Sequence, residues 1–403
     1  MDSRLKLFLA GILLMGVAGG VFETTFNNYI NDVFHVNAET RGMLEFPREL
    51  PGFLCVLMTG LLFFLPERSI AGICALVVGF GMIGLGTFGD EWWAMIAMTI
   101  FWSAGMHLMM PVRSSISMDL AVASAKGKRL GQVQAVGFAA AILGAGLVYL
   151  VLKSIAGKTD IQLRDYRPVF YIGGVAAILA SAAFFSMKLH GAHVHRSRLI
   201  VRKRFWLFYV LALLFGARKQ LFITFGPWVL IKIFHEPAST IAKLCMAGAV
   251  LQVFFQPFLG RLIDRWGERT VLLIDSLVLT FICAGYAASH LVGNPAIGVW
   301  VLYVCFVADM MMFGVNMARQ TYVAKLSATH AEVSPTLSMG VTLDHAVSMS
   351  LPWLGGWVWE TFGHSVLFVA AAGVAVLMAT FSAMIPSKAK LHALEQQHHA
   401  GRT

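Results

Sequence analysis

The sequence predicts an all-α polytopic membrane protein, with twelve transmembrane helices in two pseudo-symmetric six-helix bundles. Three observations carry that reading. The chain of 403 residues is 58% hydrophobic and only 13% charged, with a mean hydropathy of +0.73, whereas a soluble domain carries about 25% charged residues. Apolar stretches of spanning length recur along the whole chain, and the second half repeats the first.

The spans fall at 7–30, 44–65, 70–88, 92–118, 130–153, 169–189, 205–233, 241–259, 271–291, 297–324, 337–359 and 364–385, each close to the roughly 20 residues that a helix needs to cross a bilayer. The first is followed by polar NNYINDVF and has no A-x-A cleavage site, so it reads as a retained helix and not a signal peptide. The second is irregular. Its charge-free run, residues 52–65, is too short, so the helix must recruit EFPRELPGF (45–53), which brings in Arg48 and Glu49 and leaves Glu45 at the edge. Pro47 and Pro51 would bend or interrupt it beside a watery vestibule. The alternative is a segment lying outside the membrane. Trp353, Trp357 and Trp359 crowd the outer end of the eleventh span, as an interfacial aromatic belt would.

Basic residues set the orientation. Of the 31 Lys and Arg, 19 fall at one face, most of these in AKGKR (125–129), HRSRLIVRKR (195–204) and GRLIDRWGER (260–269), while Arg41, Lys153, Lys158, Arg164, Arg167 and Lys232 lie on the opposite side. Both termini are therefore expected in the cytoplasm of a bacterial-type inner membrane. The net charge of +10 matches anionic lipid headgroups and gives no argument for nucleic acid. Cys55, Cys74, Cys245, Cys283 and Cys305 all lie in apolar spans, which predicts buried thiols and no disulfide framework.

A shift of 200 residues lays FETTFNNYINDVFHVNAET over FITFGPWVLIKIFHEPAST, pairing Gly16 with Gly216, Phe22 with Phe222, Phe34-His35 with Phe234-His235 and Gly60 with Gly260. A shift of 206 superposes Arg113 on Arg319. Span one matches span seven in the same direction, so the repeat is parallel. The expected organisation is a bundle over 1–190, a basic linker over 191–204, a second bundle over 205–386 and a tail over 387–403.

Twelve spans in two parallel halves resemble the major facilitator superfamily. GRLIDRWGERTVLL (260–273) fits its signature G-x-x-x-D-R-x-G-x-R on Gly260, Asp264, Arg265, Gly267 and Arg269. The first half reads GLLFFLPER instead, with Phe64 and Leu65 in place of the acid and the base. The fifth span, GFAAAILGAGL (137–147), is rich in small residues like the family's antiporter signature but lacks its Gly-Pro pair. Physically, Gly260 and Gly267 would permit a tight turn, and Asp264 could accept hydrogen bonds at a helix N-terminus. The resemblance places that N-terminus near Gly131 and makes the contact a lock that breaks when the cytoplasmic side opens. With no acid in the first copy, the two halves would lock unequally.

Ionisable residues inside spans face an interior or a water-filled cavity. Here they are Glu23, Glu45, Glu49, Asp275, Asp309 and Asp344 with Arg48, Arg113, Arg218, Lys219, Lys243 and Arg319. Glu23, with Asn27 one turn on, lies at a height compatible with Arg48. Arg319 and Asp344 share a depth, and a structural ion pair weighs equally with a functional role. His345 beside Asp344 could titrate near neutral pH. Arg113 has no obvious acid. Arg218 and Lys219 sit midway along span seven, where a cation either neutralises an acid such as Asp309 or attracts an anionic substrate. The second is favoured because the outer acids already have Arg48.

Met-rich pieces, MHLMM (106–110) and DMMMFGVNM (309–317), lack ligand-spaced Cys or His, so no metal is expected, nor any other cofactor. The cytoplasmic His190, His193, His195, His398 and His399 read as solvated. No glycine loop precedes a Lys-Ser/Thr pair, so nothing supports ATP hydrolysis. The resemblance implies a secondary active transporter, a monomer among lipids, moving a small organic solute by alternating access on a proton or solute gradient, with a proton as the favoured coupling ion. An organic anion is favoured; proton-driven efflux of lipophilic compounds is the alternative. A membrane enzyme or sensor on the same scaffold would need a nucleophile and base, or an output domain, and the sequence offers neither.

Overall fold

The computed structural model describes residues 3–55, 58, 65–120, 126–155, 158, 160–187, 202–327 and 330–391. The regular elements among them are helical. They are α1 (Ser3–Phe34), α2 (Ala38–Met43), α3 (Glu45–Phe53), α4 (Glu67–Phe88), α5 (Trp92–Asp119), α6 (Lys126–Leu152) and α7 (Leu163–Phe185), then α8 (Trp206–Lys232), α9 (Ala238–Trp266), α10 (Glu268–Ala288), α11 (Pro295–Met312), α12 (Asn316–Leu326), α13 (His330–Phe362) and α14 (His364–Ala383). Among the described residues, ten helical segments are long and apolar enough to cross a membrane. Two of the twelve expected spans are outside that set. Most of 52–65, including Phe64, lies outside the described residues. The eleventh span is the 33-residue helix α13, whose Ser338, Thr342, Asp344, His345, Ser348 and Ser350 lower its hydropathy. The tenth is broken: a 3-10 turn at Phe313–Val315 separates α11 from α12. Such a turn tightens the helix locally.

The chain divides into two compact units. Unit 1 collects Met1–Val36, Pro47–Arg196 and His235–Val250; unit 2 collects Asn37–Phe46, Ser197–Phe234 and Leu251–Thr403. The boundaries expected at 1–190 and 205–386 make no provision for the two short stretches grouped with the opposite half. Those stretches are repeat partners, since 37–46 shifted by 200 falls within 235–250. The linker over 191–201 and the tail beyond 391 lie outside the described residues, as do His190, His193, His195, His398 and His399.

The repeat is visible in the backbone. Among the described residues the non-glycine positions with positive φ are His35 at 50° and His235 at 54°, each just past the end of the first long helix of its half. A left-handed residue there ends a helix, and the Phe-His pair marks the same stop twice. Gly16 and Gly216 are also equivalent. A Cβ on Gly16 would lie 2.6 Å from Ala140 Cβ, and one on Gly216 would lie 2.6 Å from Asp344 Oδ1. Each half therefore presses its first helix against its fifth where only glycine fits, the small-residue packing that helices use in a bilayer.

Each unit has its own aromatic core. In unit 1 Phe22 stacks on Phe26 at 4.8 Å, and Tyr29 meets the edge of Phe170 at 5.0 Å. In unit 2 the equivalent Phe222 lies 5.6 Å from Tyr286, which stacks on Phe368 at 4.5 Å. Large apolar side chains such as Phe80, Phe254, Phe281, Trp300 and Val369 are exposed, as suits helices whose outer surface meets lipid. Trp353 and Trp357 are exposed like a belt, but Trp359 is turned inward, 5.8 Å from Phe225. The five cysteines are free; Cys74, Cys283 and Cys305 are buried, and Cys55 and Cys245 are half-buried.

Candidate functional site

Unit 2 holds a set of buried and half-buried acids and bases on five helices. Arg218 and Lys219 are neighbours on α8, so their side chains diverge by about 100°, and each finds an acid on a different helix. Arg218 Nη2 donates to Asp309 Oδ1 on α11 at 2.5 Å, and its guanidinium lies over the Phe313 ring, 4.8 Å from the centroid. Lys219 Nζ donates to Asp344 Oδ2 on α13 at 2.7 Å, and Ser348 Oγ donates to the other oxygen at 3.4 Å. The sequence reading that favoured an anion for Arg218 and Lys219 is corrected here: both cations already carry carboxylates. The next residue, Gln220, donates to Glu45 Oε2 at 2.6 Å, and Arg41 Nη1 pairs with Glu45 Oε1 at 2.5 Å. Glu45 is fully buried in this way.

The pairing expected between Arg319 and Asp344 is also corrected. Equal depth did not bring them together, because Asp344 faces α8 and is taken by Lys219. Arg319, 1% exposed, donates from Nε to Asn316 Oδ1 at 3.1 Å and lies flat over the Phe215 ring, 3.7 Å from its centroid. Its two terminal nitrogens take no hydrogen-bond partner among the described residues. Asp275 on α10 is buried, one of its oxygens is equally unmatched, and the charges of both Arg218 and Arg319 act on it. The sequence marked Asp275 only as one acid among several; its place one turn from buried Val271 and Leu279 was the available clue to its inward face. His345 is buried beside Asp344.

Unit 1 has a different polar cluster. Arg48 Nη2 lies 3.0 Å from Glu49 Oε1, and Arg48 Nη1 lies 3.8 Å from Glu23 Oε1. Arg48 and Glu49 are buried while the Glu23 side chain is 54% exposed, so the set runs from interior to surface. EFPRELPGF packs into the protein: Glu45, Arg48 and Glu49 are all buried, and Pro51 lies inside α3. Sequence reading missed His107, whose Nε2 is 3.8 Å from Glu49 Oε2 and whose Nδ1 meets Ser103 Oγ at 3.0 Å. Ser103 also donates to the Arg48 carbonyl. The spacing of Ser103 and His107, one turn apart on α5, was the legible clue. Asn27 is buried on α1. Arg113 is half-buried and makes no ion pair among the described residues. Lys243 Nζ lies 5.9 Å from the Tyr149 ring centroid.

The signature segment straddles the end of α9. Gly267, with φ at 82°, makes the turn into α10. Gly260 does not share that task, contrary to the expectation from the motif. It lies within α9, and a Cβ there would meet nothing nearer than Met317 Sδ at 4.0 Å. Asp264, Arg265 and Arg269 are exposed. The unmarked position between Gly267 and Arg269 is Glu268, fully buried and 2.6 Å from Lys325 Nζ.

A sequence profile described as Major Facilitator Superfamily matches residues 50–343. The chain is 29% identical over 140 residues to the tetracycline resistance protein, class B, of Escherichia coli, covering 34% of this chain and 32% of that one. It is 25% identical over 177 residues to multidrug resistance protein 2 of Bacillus subtilis (strain 168), covering 41% of this chain and 39% of that one. The match thus spans about a third of the length of these relatives. Among solved structures, the crystal structure of nucleoside transporter NupG superposes with a TM-score of 0.75 at 15% identity, over 96% of this chain and all of that one. At that identity the likeness speaks for the fold alone.

Proposed function

The chain belongs to the Major Facilitator Superfamily of membrane transporters, and from that premise we propose that it moves a small organic solute by alternating access, driven by a proton gradient. The observation that carries the coupling is the acid–base set inside unit 2. When a carboxylate held by Arg218 or Lys219 takes up a proton, its cation is left without a partner, and that cost ties protonation to a rearrangement of the site. Asp309 and Asp344 are the proton carriers in this reading, and Glu23 is the half-exposed acid through which the first unit meets water. The lock between Asp264 and the helix start near Gly131, the inner-membrane location, the cytoplasmic termini and the monomeric state belong to the same proposal.

The solute is a carboxylate-bearing compound. Arg319 supports this. Its Nε is fixed by Asn316 and its plane by Phe215, so the two unmatched terminal nitrogens form a preset fork of the shape that recognises a carboxylate. Efflux of lipophilic compounds is the second reading, favoured by the names of the two curated relatives. A thermal-shift screen separates them, because a ligand that binds the folded state raises its melting temperature. Aromatic and aliphatic carboxylates should stabilise the wild type, their amides should not, and Arg319→Gln should abolish the difference. Stabilisation by lipophilic cations, retained in Arg319→Gln, would favour efflux instead.

A further inference from the structure

The short segment after α14 touches the signature turn. The last helix closes with Met384 and Ile385 amides donating to Phe381 and Ser382 carbonyls, each at 3.1 Å. Pro386 cannot continue it. The chain then turns, and Lys388 Nζ reaches back to donate to the carbonyls of Asp264 at 2.6 Å and Arg265 at 3.2 Å. Those carbonyls belong to the last turn of α9, where helix carbonyls lack intrahelical donors and the dipole favours a cation. Two apolar side chains flank the contact. Ile385 is fully buried and Leu391 is 1% exposed, both within the cluster that contains Ile263, Val271 and Leu272 from either side of the turn. The fit at the turn itself is close: a Cβ on Gly267 would lie 3.0 Å from Lys388 Cβ.

We propose that residues 384–391 form a clasp that holds the signature turn in register, with Lys388 as the positioning residue for Asp264 and Arg265. Ile385 and Leu391 anchor the segment in the apolar cluster, and the Lys388 ammonium caps the helix that carries the two motif charges. The clasp fixes the direction of an exposed carboxylate whose own side chain takes no hydrogen bond among the described residues. Its part in the transport cycle rests on the reading of Asp264 as a conformational lock.

The experiment uses the full chain in lipid nanodiscs and two readouts. Backbone hydrogen exchange over 260–275 should rise several-fold in Lys388→Gln, as expected when a helix-end cation is lost, and should return to the wild-type level in Lys388→Arg. Exchange elsewhere should stay unchanged. Wild-type exchange over 260–275 in Lys388→Gln, or a rise spread over the whole chain, would overturn the clasp. The second readout is the balance of inward- and outward-open forms from spin-label distances. Asp264→Asn should shift it, and Lys388→Gln should shift it the same way by less. A shift in Asp264→Asn with none in Lys388→Gln removes the positioning role. No shift in Asp264→Asn removes the lock reading alone, and hydrogen exchange still decides the clasp.

Discussion

Where unit 1 places Ala18 and Gly19, unit 2 places Arg218 and Lys219 at the equivalent positions, and where Gly16 meets Ala140, its counterpart Gly216 meets Asp344. The substitution runs the other way elsewhere. Glu23, Arg48 and Glu49 of the first half of the sequence correspond to Ile223, Gly248 and Ala249 of the second half. In unit 1 the approach of α1 to α6 is a plain small-residue contact, with a Cβ on Gly144 falling 2.6 Å from the Val17 carbonyl. In unit 2 the same approach of α8 to α13 carries the Lys219–Asp344 ion pair. Features common to both units, such as the close contacts at Gly16 and Gly216 and the stops at His35 and His235, are what the fold requires. Features that differ are not needed by the fold, and the proposed site is drawn from them.

The sharpest way to break this comparison is to remove one charge of the best-buried pair. Arg218→Leu should cost about 3–5 kcal/mol, because Asp309 is left buried without its cation, and adding Asp309→Leu should recover most of that loss. Melting curves in detergent check it. If the double variant is as unstable as the single, the pair is packing and not charge. Lys219→Met should cost less, about 1.5–3 kcal/mol, since the pair is partly open to water. The corresponding change in unit 1, Gly19→Ala, meets Met106 Cε at 3.2 Å and should cost less again.

In unit 1 a double-mutant cycle sharpens the picture. The coupling of Arg48 to Glu49 should exceed that of Arg48 to Glu23, which is long and half-exposed and should fall at about 0.2–1 kcal/mol. Equal coupling energies would mean that Glu23 is drawn into the interior. The smallest effect tests the shared features. His35→Gly and His235→Gly should each raise stability by up to about 1 kcal/mol, by relieving a left-handed side chain, and by the same amount within error. Unequal gains would show that the repeat is not equivalent at these stops.

The repeat was legible because the same residue types recur at equivalent places, Gly16 with Gly216 where only glycine fits and His35 with His235 where each helix stops. Position along each helix was legible too, since residue number fixes it. Azimuth was not. Arg319 and Asp344 share a depth, yet Lys219 takes the acid, because which face a helix turns to which neighbour depends on packing that no single span encodes. The adjacency of Arg218 and Lys219 showed that their side chains diverge, and the structure supplied the two acids that receive them. Asp275 and His107 were hidden for the same reason: each gains meaning from residues on other helices. The break at Phe313–Val315, which separates Asp309 from Arg319, leaves no proline or glycine pair in the sequence beyond the single Gly314.

The central claim is that unit 2's paired carboxylates couple transport to protons. It is tested most directly in proteoliposomes, with a ligand found by thermal shift, by comparing net uptake driven by a pH gradient with exchange of internal for external ligand at equal pH. Asp309→Asn should lose the driven uptake and keep the exchange, because the translocation pathway remains while the proton carrier is gone. Driven uptake at the wild-type rate in Asp309→Asn and in Asp344→Asn would contradict the account.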